Sequence, residues 1–317
     1  MSLIERAAKR LEELRQAGVD IPARGADPAN QEPPGIPRAS MTPVTDARQA
    51  IVKAGSSPST LSAAGSAAVS RPERGHYDLD LARLAALGFV TPDMPRSRIA
   101  DEFRILKRPL IANTSEKKAV PIKHSNLIMV TSAVPGEGKT FSAVNLAMSL
   151  AMELDRTVLL VDADVARPSL PGLLGLPSTR GLLDVLESKS FDLNHALIRT
   201  NVDKLSILPS GTPHVHATEL LASSAMAQLL EEMSARYADR IVIFDSPPLL
   251  VTTEARVLAT QMGQIVFVVH AESTLQADVK RALATIESCP VKMMVLNQAR
   301  SVGQGAHGYG YGYGYGG

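Results

Sequence analysis

A single cysteine, Cys289, stands among 317 residues, which excludes a disulfide framework and suits a reducing compartment. Excess charge is also missing. Lys and Arg total 33 against 32 Asp and Glu, a formal charge of +1. That balance lacks the broad basic surface of non-specific DNA binding, so nucleic acid is not expected as a partner. No apolar run approaches the ~18 residues of a spanning helix; the Ile265–Val269 run is flanked by Gln264 and His270. The N-terminal stretch MSLIERAAKRLEELR is charged throughout and has no apolar signal-peptide centre. These absences predict a soluble, cytoplasmic protein.

What is present is unevenly spread. Ten of the 21 prolines fall before Arg96, whereas only two of the 12 aromatics, Tyr77 and Phe89, lie there. Leu3, Ile4, Ala8, Leu11 and Leu14 share one face of a helix over 1–18, ended by Gly18, which suits docking to a partner. Residues 19–76, rich in Pro, Ser, Ala and Gly without sustained period, read as a disordered linker. Two short helices are expected over 77–110, broken at Thr91–Pro95 and stopped by Pro109. From 111 to 300, apolar runs alternate with helical segments. Strands are expected at Leu127–Thr131, Val158–Val161, Leu205–Leu208, Ile241–Phe244, Ile265–Val269 and Val291–Leu296. Helices are expected at Thr140–Leu154, Thr218–Arg236, Glu254–Gln261 and Thr274–Ser288. Continuously apolar strands are buried on both faces, so the fold class is α/β, a doubly wound and mainly parallel sheet. Residues 301–317 are expected to be a flexible Gly/Tyr tail.

Directly after the first strand, Ala133-Val-Pro-Gly-Glu-Gly-Lys-Thr140 opens a helix, a phosphate-loop pattern with Ala in place of the first Gly. Gly136 and Gly138 let backbone N–H groups turn inward without a Cβ in the way. The helix N-terminus adds partial positive charge beneath them. Lys139 suits the β- and γ-phosphates, and the Thr140 hydroxyl suits Mg2+. Pro135, Gly136, Glu137, Gly138, Lys139, Thr140 and Phe141 are therefore the expected nucleotide-binding stretch.

Two further strands end in acid: TVLLV runs into Asp162-Ala-Asp164, and RIVIF into Asp245. Ligands of an open parallel sheet sit beyond the carboxyl ends of its strands, so these carboxylates should converge on the loop. Asp245 is the expected magnesium partner, directly or through water. Of the pair, Asp162 is read as the base that takes a hydroxyl proton and Asp164 as the metal-side residue. The reverse assignment stays open. Four of the six tyrosines, Tyr309, Tyr311, Tyr313 and Tyr315, lie in the last nine positions. Beside a nucleotide site with a candidate base, that run of phenols reads as a phosphoryl acceptor.

The combination of SAVPGEGKT, VLLVDADVARPSL, IVIFDSPP and a terminal tyrosine cluster resembles the bacterial tyrosine kinases of polysaccharide synthesis. The N-terminal helix and FVTPDMPRSRIADEFR resemble more specifically the exosortase-associated tyrosine autokinases. The resemblance covers residues from about Tyr77 to the C-terminus. It implies ATP with Mg2+, phosphorylation of the tail in trans, other protein tyrosine substrates and a role in exopolysaccharide export. It further implies a membrane-embedded chain-length-determining protein as activating partner, and so a peripheral place at the inner membrane. Such kinases form rings through a Glu-x-x-Arg-x-x-Arg helix; Asp101, Arg104 and Lys107 stand at those positions and imply a homo-oligomer. The resemblance also suggests that Asn297 reads the adenine. The competing readings are a partitioning ATPase and a catalytically silent nucleotide switch. Partitioning ATPases share the Asp-x-Asp strand end but carry an extra loop lysine where this chain has Val134.

Overall fold

The computed structural model describes residues 75–115, 121–188, 192–236 and 239–299. The expected helix over 1–18, nearly all of the linker and the tyrosine tail lie outside them.

Eight strands form one sheet: β1 (His76–Tyr77), β2 (Leu127–Ser132), β3 (Thr157–Asp162), β4 (Ile198–Thr200), β5 (Leu205–Leu208), β6 (Arg240–Asp245), β7 (Gln264–His270) and β8 (Val291–Asn297). Their order is β1-β4-β5-β3-β6-β2-β7-β8. Every neighbouring pair is parallel except β4 with β5. The six strands expected from the sequence are all present, each within a residue or so of its expected ends. The two additions, β1 and β4, are two and three residues long, too short to carry a period.

The period of two along each strand divides the core. Ile128, Val130, Leu160, Ile243 and Val266 pack on one face, and Met129, Leu159, Val161, Phe244 and Phe267 on the other. All six residues of β2 are buried, as a central strand covered on both sides requires.

The helices are α1 (Leu81–Ala86), α2 (Arg98–Asn113), α3 (Lys139–Ala151), α4 (Leu170–Leu174), α5 (Leu182–Glu187), α6 (Leu193–Ala196), α7 (Ala217–Leu221), α8 (Ser224–Arg236), α9 (Thr253–Ala259) and α10 (Gln276–Ala284). Asp80 and Ser97 cap α1 and α2 by accepting from the amides of Arg83 and Ala100. Pro109 does not stop α2, contrary to the sequence expectation; the helix runs through it to Asn113. Leu110, fully buried, lies just beyond the proline, and Asn113 donates to the Gln264 side chain at 2.8 Å. These tertiary contacts outweigh the backbone bond that proline removes. The single helix expected over Thr218–Arg236 is two, because Ser223 caps α8 by accepting from the Met226 amide. Short α4, α5 and α6 were not expected. Among the described residues no helix is long and apolar enough to cross a membrane.

Candidate active site

The carboxyl ends of β2, β3 and β6 meet at one end of the sheet. Between β2 and α3 the loop turns on Gly136 and Gly138, whose φ angles are +85° and +89°. That left-handed region favours glycine and aims successive amides inward. Gly138 is also the N-cap of α3, so the 13-residue helix presents its amino end to the loop's hollow. A cleft of about 510 Å³ opens there, lined by Gly136, Lys139, Thr140, Asp164, Arg167 and Pro247 among others.

The segment after β6 closes the cleft's other wall. Leu249 and Leu250 donate backbone bonds to the carbonyls of Ser132 and Ala133, and the Thr131 hydroxyl donates to the Pro247 carbonyl at 2.8 Å. The loop is thereby fixed to two strands before any ligand arrives.

Glu137 is buried and points away from the cleft. One carboxylate oxygen accepts from the Val134 amide at 2.8 Å; the other accepts from the Thr274 hydroxyl and, at 3.4 Å, from the His270 amide. Its side chain ties the loop to the end of β7, a bracing role the motif alone did not suggest. Asn297, at the end of β8, donates to the Glu137 carbonyl at 2.9 Å. Its amide lies so close over Gly138 that a Cβ there would fall 2.0 Å from it. Phe141 stacks at a tilt on Phe89, ring centres 4.9 Å apart.

Lys139 reaches Asp164 at 2.7 Å, and Thr140 shares a hydrogen bond with Ser169 at 3.0 Å. Asp162 and Asp245 are register partners across β3 and β6. Both are fully buried, and none of their four carboxylate oxygens completes a hydrogen bond among the described residues. Burial, and then the charges of Asp245 and Asp164, push Asp162 up to about 8. The amides of Asp164 and Leu170 approach closely enough to offset part of that rise without completing a bond. Burial likewise raises Asp245 to about 6, against the pull of Lys139 and Thr140. Buried, unpartnered carboxylates that repel one another fit a divalent cation. Among the described residues no three His, Cys, Asp or Glu side chains form a ready cage.

The structure therefore places Lys139, Thr140 and Asp164 in the wall of one cleft and buries Asp162 and Asp245 at the adjoining strand ends, whereas Asn297, over Gly138, lines the separate groove beside α2. Asp101 and Arg104 pair with each other on the exposed side of α2. Lys107 is turned the other way: it is only 4% exposed, pairs with Glu153 at 2.7 Å and donates to the Ser149 carbonyl. Its ammonium is thus fully engaged inside the chain. Tyr309, Tyr311, Tyr313 and Tyr315 lie outside the described residues.

Residues 123–304 match the ParA family, described as NUBPL iron-transfer P-loop NTPase. The chain is 32% identical to the tyrosine-protein kinase YwqD of Bacillus subtilis over 200 residues, 63% of this chain and 80% of that protein. The kinase domain of the Escherichia coli tyrosine kinase ETK superposes with a TM-score of 0.58 at 26% identity, covering 71% of this chain and 86% of that one. The chimerical protein CapA2B2 gives 0.55 at 25% identity, covering 70% and 93%.

Proposed function

The chain belongs to the ParA family of P-loop NTPases and to the bacterial tyrosine-protein kinases, and on that premise we propose that it is an ATP-dependent autokinase acting on its own terminal tyrosines. The observation that carries this reading is the pair of buried, unpartnered carboxylates, Asp162 and Asp245, beneath a glycine loop that also presents Lys139 and a helix amino end. That arrangement is suited to a triphosphate with its metal.

In this reading Thr140, Asp164 and Asp245 would hold magnesium, which would supply charge neutralisation on the phosphate oxygens when bound. Lys139 leaves Asp164 for the γ-phosphate, and the amides of Gly136 and Gly138 cradle the phosphate oxygens. Asn297 faces the adenine. A tail phenol would attack the γ-phosphorus: a new P–O bond forms to tyrosine, the bond to the β-phosphate oxygen breaks, and the phenol proton passes to Asp162, whose carboxyl must first give up its own proton as positive charge enters beside it. ADP and phosphotyrosine result. From Gln298 to Tyr315 is 17 residues. Extended, they span up to roughly 55 Å, ample for transfer in trans within a homo-oligomer. The proposed setting is exopolysaccharide synthesis, at the cytoplasmic side of the inner membrane. There a membrane-embedded chain-length-determining protein would serve as activator, and other proteins' tyrosines as further substrates.

Purified chain, with and without that partner, is incubated with ATP and magnesium, and phosphotyrosine is mapped by mass spectrometry. Label at Tyr309 to Tyr315 is expected, lost when residues 307–317 are removed while nucleotide binding is kept. Hydrolysis without phosphotyrosine would place the chain with the partitioning ATPases instead, and binding without turnover would mark a silent switch.

A further inference from the structure

We infer that the glycine–tyrosine tail docks on its own domain as an added strand along the free edge of β8, its rings over Met294 and Leu296. The inference is independent of phosphoryl transfer.

The surface is built for a strand. β8 ends the sheet order, so one row of its backbone donors and acceptors has no strand partner among the described residues. A groove of about 410 Å³ separates it from α2. Five consecutive residues, Met293 to Asn297, line that groove. Consecutive residues of a strand point to opposite faces, so a groove touching all five runs along the edge itself. Its rim is apolar and open: Ile105 is 76% exposed, Met294 54% and Leu296 63%. Natural sheets guard such edges with charge, lysine especially. The lysine here, Lys292, is drawn back to the carbonyls of Cys289 and Glu287, at 2.6 and 3.2 Å. The edge is left unguarded.

The tail matches it in position, length and pattern. The chain leaves β8 at Gln298, whose φ of +56° ends the extended backbone of the strand. From Gln298 to Tyr309 is 11 residues, enough for a return loop. Tyr309–Tyr315 then equals the seven residues of β8. In extended backbone, strict alternation puts Tyr309, Tyr311, Tyr313 and Tyr315 on one face and Gly310, Gly312 and Gly314 on the other. The glycine face allows close approach beneath α2. The tyrosine face lies over Met294 and Leu296, where thioether and ring pack well and the hydroxyls stay wet. Strand addition draws its affinity from the main chain and its selectivity from alternate side chains. Phosphate on a ring, at about −1.5 to −2 charge each, opposes that burial, so the docked tail is the unmodified one.

Hydrogen exchange of the nucleotide-free full chain tests this. The outward-facing amides of Val291–Asn297, those not bonded to β7, should exchange at least about tenfold more slowly than in the chain lacking 307–317, since strand pairing closes them off from water. Replacing all four tail tyrosines by Phe should keep the protection. Replacing them by Ser, or exposed Met294 and Leu296 by Lys, should remove it without lowering the melting temperature. Equal exchange with and without the tail overturns the inference, and so does protection that vanishes on dilution, which would assign the strand to a second copy.

Discussion

The Lys139 ammonium sits 2.7 Å from the Asp164 carboxylate, both side chains largely withdrawn from water. The loop's cation is therefore held at Asp164, two residues beyond the strand end at Asp162. Lys139 also pulls down the raised pKa of Asp245 more than any other group does. One lysine thus bears on two of the three carboxylates, Asp164 by contact and Asp245 through its charge.

Lys139→Met removes both roles. Autophosphorylation should fall by about 10² or more, the scale of losing one preorganised charge contact in the transition state. With its main opposing charge gone, Asp245 should titrate higher than in the parent. Phosphotyrosine blotting measures the first effect, and carbon-detected NMR titration of the Asp carboxyls the second. Parental labelling in the Lys139→Met protein would remove Lys139 from the mechanism.

Asp162→Asn separates stability from activity. A carboxyl raised from its ordinary 3.8 to about 8 favours the fold fully only below the ordinary value, and that contribution drains away as pH rises through 8. The amide does not titrate. The variant should therefore match the parent near pH 4 and exceed it at pH 8, by on the order of a few kcal/mol. Thermal unfolding without ligand at both pH values checks this, the difference narrowing when ATP and magnesium are added. Nucleotide binding should persist while transfer falls by about 10². If transfer survives in Asp162→Asn and is lost in Asp164→Asn, the two roles exchange.

The loop and the strand-end acids were legible because each lies within a few residues of a strong local signal. Val130 and Phe244 sit in apolar runs that can only be buried strands, and glycines follow at fixed offsets. Parallel topology places those strand ends together without further information. Residues whose roles depend on distant partners were not legible. Glu137 reads as part of a phosphate loop, but its partners Thr274 and His270 lie more than 130 positions away. Lys107 reads as one charge in a helical row, and only the fold brings Glu153 beneath it. Pro109 looks like a stop because proline removes a backbone bond, while the buried Leu110 that carries α2 onward gives no local signal.

Glu137→Ala should loosen the loop without touching a phosphate. The Val134 and His270 amides and the Thr274 hydroxyl would all lose their acceptor. One buried group left unsatisfied costs about 1–3 kcal/mol, and water entering the gap relieves part of the total. The melting temperature should fall by about 2–4 °C per kcal/mol lost. Nucleotide affinity should weaken with it, read by calorimetry; Glu137→Gln, which keeps one acceptor, should lie between. Unchanged melting in Glu137→Ala would dismiss the brace.

Two faces of α2 predict opposite outcomes. Lys107 is buried against Glu153, whose carboxyl is held below its ordinary range first by the hydrogen bond from Lys107. A depressed carboxylate stabilises the fold above its ordinary pKa and loses that contribution as pH falls through the lowered value. Lys107→Met should therefore lower the melting temperature at pH 7, and the difference from the parent should shrink as pH falls through the lowered value of Glu153. Self-association should be unaltered, because the ammonium never reaches the surface. Arg104→Glu removes two exposed contacts, the pair with Asp101 and a 2.8 Å bond to the Pro95 carbonyl, each of the kind that contributes about 0–1 kcal/mol, so melting should move only slightly. If α2 joins subunits, that reversal of charge should lower the sedimenting mass. The opposite pattern, with Lys107→Met dissociating an intact fold and Arg104→Glu leaving assembly untouched, would mean that α2 presents its inner side to a neighbour.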